Sequence, residues 1–142
     1  LYDPEGGLMI CGDHVLPTIT PHISGFGPAA DPLKDFFFSL DRVADFEGIQ
    51  LALPAHGQPF TNLPGRVDDI KRHHEERLDL LREASDKLGN ASVHKYMKEL
   101  FQQRSWGPMA ESETFAHLEH LRRIGETDAT RTSTGVLEYS FH

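Results

Sequence analysis

Two short polar segments hold the residues best suited to chemistry, Gly12-Asp13-His14 and Pro54-Ala55-His56-Gly57. An aspartate and a neutral histidine are hard-to-borderline ligands that suit Zn, Fe or Mn, and glycines beside them let the backbone turn tightly around an ion. Spacing alone leaves a second reading open, in which Asp13 supports a turn and His56 is a loop histidine, because polar residues at strand ends commonly serve turns. His14 either faces the cleft or packs beneath its loop. His22, within Thr20-Pro21-His22-Ile23-Ser24, lies on the chain leaving the first segment, and loops are where binding residues tend to sit. His73 and Arg77 stand four apart on one helix face, against the plainer reading of a solvated face with local pairs such as Glu76 with Arg72. Cys11 has no cationic neighbour to activate its thiol and reads as a small buried hydrophobe.

The elements that must position these residues follow from apolar patterning. Gly7-Leu8-Met9-Ile10-Cys11 and Ile49-Gln50-Leu51-Ala52-Leu53 are short runs suited to buried strands, and each is closed by one of the polar segments. Between them Asp31-Pro32 opens an apolar stripe through Leu33, Phe36, Phe37, Leu40, Val43 and Ala44, which predicts a helix over about 32 to 46. Strand, helix, strand implies a crossover unit, parallel if both strands share a sheet. Both polar segments then fall at the sheet edge where the carboxyl ends of strands gather ligands.

Residues 1–66 hold eight of the nine Pro and eight of the twelve Gly, with three basic and eight acidic side chains, whereas 67–142 are helical in pattern with eleven basic and fourteen acidic ones. This shift predicts two domains, 1–66 and 67–142. The second opens with a long amphipathic helix through Val67, Ile70, His74, Leu78, Leu81, Ala84 and Leu88, stopped by Gly89-Asn90. Ser92 then caps a helix facing inward with Val93, Tyr96, Met97, Leu100 and Phe101. A third helix is expected after Ser112, ending at Gly125, followed by strands at Arg131 to Thr134 and Leu137 to Phe141 around a turn. Three helices and a terminal hairpin make a winged-helix pattern.

The 142 residues carry a formal net charge of −8 and 38% hydrophobic side chains. An acidic balance argues against a chain whose main task is neutralising phosphate backbones. No apolar run approaches the roughly 20 residues that span a bilayer. The single Cys11 excludes an internal disulfide and agrees with a reducing compartment, so a cytoplasmic location is expected. No initiator Met and no signal-peptide pattern precede Leu1, and the chain is expected to be part of a longer one.

Cys11-Gly12-Asp13-His14-Val15-Leu16-Pro17 resembles the fourth motif of the metallo-β-lactamase fold superfamily, and Leu53-Pro54-Ala55-His56-Gly57-Gln58-Pro59 resembles its fifth, usually written Pro-Gly-His-Gly, with Ala55 in place of one Gly. The resemblance implies that Asp13 bridges two divalent metal ions, Zn foremost with Fe or Mn as alternatives, and that His56 completes the second metal site. A winged-helix appendage is typical of the β-lactamase-like 2 subgroup. The implied fold is α/β, the C-terminal half of an αββα sandwich followed by a small winged-helix-like domain. The implied activity is hydrolysis of a small-molecule thioester, lactone, β-lactam or phosphoester by a metal-bound hydroxide.

The family's His-x-His-x-Asp-His motif is absent from this sequence, whose only adjacent histidines are His73-His74. The 142 residues alone are therefore expected to be inactive, and to be completed by the missing N-terminal half of the same protein. Half a sandwich leaves an open sheet edge and an apolar face, which predicts self-association. The alternative is a winged-helix module binding nucleic acid or protein. The third helix disfavours DNA: it offers Arg122 and Arg123 only at its far end, behind Glu113 and Glu119, whereas recognition helices read bases with their N-terminal residues.

Overall fold

Apolar runs bounded by glycine turns set the first sheet. In the computed structural model, which describes residues 1–142, β1 (Tyr2–Asp3) pairs antiparallel with β2 (Leu8–Gly12), and β2 pairs parallel with β3 (Leu51–Pro54). The chain crosses between the parallel strands through α1 (Pro32–Ala44), as strand–helix–strand patterning requires. Asp31 starts α1 by accepting from the Lys34 amide through Oδ1 at 3.0 Å.

Alternation splits the two faces of the parallel pair. Met9 and Ala52, partners in register, are buried with Val15, Leu40, Leu63, Val67 and Ile70 in one core. Ile10 and Leu53, the next pair in register, point to the opposite face, where Ile10 is 53% exposed. One face of this small sheet is therefore covered and the other is open.

α2 (Leu63–Leu88) begins earlier than the apolar stripe predicts, because Asn62 caps it: Oδ1 accepts from the Gly65 amide at 3.1 Å, and Pro64 needs no donor in the first turn. Asp68 and Asp69 therefore lie beyond the first turn of α2. β4 (Ala91–Ser92) follows, and the Ser92 hydroxyl accepts from the Lys95 amide to open α3 (Val93–Leu100). After a single tight turn at Gln103–Ser105 comes α4 (Pro108–Arg123). It starts at Pro108 after Gly107, four residues ahead of the expected Ser112 start. Ser112 is buried inside it, where its Oγ receives the Gly25 amide at 3.1 Å.

β5 (Thr127–Arg131) and β6 (Leu137–Phe141) form the terminal hairpin, with β6 central in the order β4-β6-β5. The first hairpin strand lies before the expected Arg131–Thr134 segment, and Thr132 to Gly135 form the turn, Gly135 adopting φ 84°. A polar strand, Thr127-Asp128-Ala129-Thr130-Arg131, has no apolar alternation to reveal it. Two compact units emerge: Leu1–Pro21 with Phe36–His74, and His22–Asp35 with Glu75–His142. No helix is long and apolar enough to cross a membrane.

Candidate metal centre

β2 and β3 deliver the two polar segments to the same end of the first sheet. Parallel pairing puts both carboxyl ends side by side, and the Ala55 amide donates to the Gly12 carbonyl at 2.9 Å just past the last paired residues. Gly12 leaves its strand at φ 58° and Gly57 turns the second segment at φ 89°, conformations that glycine enters without a Cβ penalty. The chain then brings Asp13 and His56 together: Oδ1 and Nδ1 lie 2.6 Å apart, with the side chains 67% and 72% exposed. With the Nδ1 proton donated to the carboxylate, the imidazole Nε2 and the other carboxylate oxygen stay open toward solvent.

His14 turns the other way. Its Nε2 lies 3.0 Å from the Ser39 hydroxyl on α1, and its ring meets Phe36 edge-on at 5.2 Å. Burial lowers its pKa, opposed in part by Ser39, so the neutral ring is favoured there. Cys11, half-buried in β2, has its thiol pKa raised by burial, the opposite of an activated nucleophile.

Two solved structures align with 99% of this chain: a beta-lactamase domain protein from Burkholderia ambifaria at 30% identity, and a metallo-beta-lactamase family protein from Thermus thermophilus at 32%, each with TM-score 0.86. This chain has the fold of part of a metallo-beta-lactamase family protein. It spans 43% and 44% of those two chains, less than half of each metallo-beta-lactamase-fold structure. No protein-family model matches the sequence, and no curated protein does either.

The remaining candidates of this metallo-beta-lactamase-fold chain go to other places. His22 Nδ1 sits 3.1 Å from Glu113 Oε2 on α4, and Arg77 Nε approaches Glu113 Oε1 at 3.6 Å while its guanidinium lies 4.3 Å from the centre of the Phe101 ring. Burial draws the Arg77 pKa down and Glu113 opposes it, leaving a charged, half-enclosed guanidinium on an aromatic face. His73, half-buried on α2, meets the fully buried His74 ring to ring at 5.5 Å. Sequence reasoning missed Glu113 as the meeting point of His22 and Arg77. Glu113 lies 91 residues from His22, and no local spacing signals that contact.

Proposed function

We propose that this chain is the C-terminal part of a cytoplasmic, metal-dependent hydrolase acting on a small-molecule thioester, lactone, β-lactam or phosphoester. The observation that carries the reading is the Asp13–His56 pair, one carboxylate and one imidazole held within 2.6 Å at the open ends of adjacent parallel strands. That donor chemistry fits a divalent cation, Zn foremost with Fe or Mn as alternatives, and it supplies two of the three or more protein ligands that a catalytic site uses. When bound, two such ions lower the pKa of water and polarise the scissile bond. Asp13 and His56 would hold them, the carboxylate offsetting their charge. The substrate-side roles expected of His14, His22, His73 and Arg77 stay part of the proposal, although each of these side chains holds a protein partner here.

The open sheet face at Ile10 and Leu53 supports a parent in which further chain, carrying the other ligands, covers it; by itself the 142-residue piece is inactive and self-associates. In the same reading, 1–66 belong to the metal-holding domain and 67–142 form a winged-helix-like domain, a reading supported by α3, α4 and the strand order β4-β6-β5, while α2 as far as His74 packs with the first sheet. Its role in reading DNA is disfavoured. α4 buries Ala110, Ser112, Thr114, Ala116, His117, Leu118 and Leu121, which lie around the helix and leave no broad face to enter a groove.

The test is Zn(II) titration of the purified chain by calorimetry, followed by the four hydrolase assays on the longer protein. Uptake that disappears in His56→Ala and hydrolysis abolished by chelation are expected. A longer protein that hydrolyses none of the four substrate classes with its metal sites filled would remove the reading.

A further inference from the structure

We propose that Arg66 is a positioning residue for the Asp13–His56 pair, acting through the Leu16 carbonyl; the inference rests on the metal-holding role proposed for that pair. Arg66 lies in the first turn of α2, which Asn62 fixes by capping. Its Nε donates to Leu16 O at 2.6 Å, and Leu16 is the third residue after Asp13. Its Nη2 is buried with no hydrogen-bond partner. A guanidinium that leaves a buried donor unsatisfied is placed at a cost in stability. The Nε bond to Leu16 O offsets part of that cost.

The chain of contacts continues from Leu16 to the second ligand. Pro17 lies directly against Gly57, so closely that a Cβ on Gly57 would come within 2.7 Å of Pro17 Cγ. Gly57 is the immediate neighbour of His56. Arg66, Leu16 O, Pro17 and Gly57 thus form a brace from the start of α2 to both ligand segments, independent of the Ala55–Gly12 backbone bond. Both ligand side chains are mostly exposed and have little packing of their own to orient them. Their relative placement depends on the backbone beneath them, and the Arg66 guanidinium holds that backbone from outside the two segments.

The experiment is Co(II) titration of the purified chain followed by visible absorption, with the nuclear Overhauser contact between Pro17 and Gly57 recorded on the metal-free protein. Arg66→Met keeps the aliphatic stem and removes the donors. It is expected to weaken Co(II) binding roughly 10- to 100-fold, the range for lost outer-shell support, to alter the absorption envelope at saturation, and to lose the Pro17–Gly57 contact. Arg66→Lys, which can still present one donor to Leu16 O, is expected to recover most of both. Arg66→Gln, whose shorter stem falls short of Leu16, replaces the Met variant if that fails to fold. Wild-type affinity and spectrum in Arg66→Met, with the Pro17–Gly57 contact intact, overturn the proposal. If the wild-type chain takes up no Co(II), the metal-holding reading of Asp13 and His56 fails for this chain. The brace is then decided by the Pro17–Gly57 contact alone, whose loss in Arg66→Met and return in Arg66→Lys support it and whose persistence refutes it.

Discussion

His56 Nδ1 lies 2.6 Å from Asp13 Oδ1 although 43 residues separate them, and neither side chain is buried. Exposed ion pairs contribute little to folding, so the pair is explained poorly by stability. His56→Ala and Asp13→Asn are each expected to change the unfolding free energy by less than about 1 kcal/mol, the scale of exposed pairs, while abolishing metal uptake. Urea unfolding and calorimetry on the same samples check this. A loss of several kcal/mol without any change in metal uptake would assign the pair to structure instead.

Gly25 tests how tightly the His22–Phe26 segment is seated on α4. A Cβ there would stand 2.6 Å from Phe115 Cδ1, 2.7 Å from Ser112 O and 2.9 Å from Ala116 N, two of them backbone atoms that cannot swing aside. The Gly25 amide also donates to Ser112 O at 3.2 Å, so the segment cannot lift without breaking that bond. Gly25→Ala is expected to destabilise by about 1–3 kcal/mol, the usual cost of overpacking, and to shift the NMR signals of His22 and Phe115. Unchanged stability would mean that the segment is loosely held.

What the sequence revealed and what it hid divide along physical lines. The Asp13 and His56 segments were legible because each closes an apolar run at a glycine turn, and a helix between two such runs dictates parallel pairing. The Ser92 cap was legible for the same local reason. Ser112 misled because serine is a favoured cap, yet here its hydroxyl serves Gly25, a partner 87 residues away. His22, Arg77 and Glu113 meet through tertiary packing alone, so their types suggested a binding role while their common partner stayed hidden. The Arg66–Leu16 hydrogen bond spans 50 residues to a backbone carbonyl and therefore leaves no sequence pattern.

Ile10 gives the open sheet face a direct test. It is 53% exposed in the middle of β2, beside Leu53 in register, an arrangement that buries apolar area only against another surface. The wild-type chain is expected to self-associate at micromolar concentration, and Ile10→Lys to shift it toward monomer without loss of helix content. Light scattering after size exclusion, with far-UV circular dichroism, checks both. A wild-type monomer at all concentrations would remove self-association from the proposal.

Glu119 predicts how the second compact unit responds to acid. Burial alone would raise its pKa, but hydrogen bonds from Arg122 and Tyr139 and the nearby positive charges of Arg122 and Arg123 outweigh burial and hold the carboxyl below its ordinary range. Tyr139 is buried in β6 and donates to Glu119 Oε1 at 2.6 Å, and its own pKa is pushed far up by burial and then by that carboxylate. The folded state therefore binds this proton less readily than the unfolded chain, whose carboxyl titrates near about 4.3. The stabilisation is fully present above that value and is lost as pH falls through the lower folded-state pKa. Glu119→Gln keeps an acceptor for Tyr139 but removes the charge that Arg122 grips at 2.7 Å. It is expected to lower stability by about 1–3 kcal/mol at pH 7, the range of hydrogen bonds to charged groups. The gap to wild type should begin to narrow below the unfolded value of about 4.3 and close as the pH falls through the lower folded-state pKa, where the wild-type carboxyl also loses its charge. Thermal unfolding of both proteins across that range decides it: a gap that stays constant down to about pH 3 would show that Glu119 stabilises the unit by shape and not by charge.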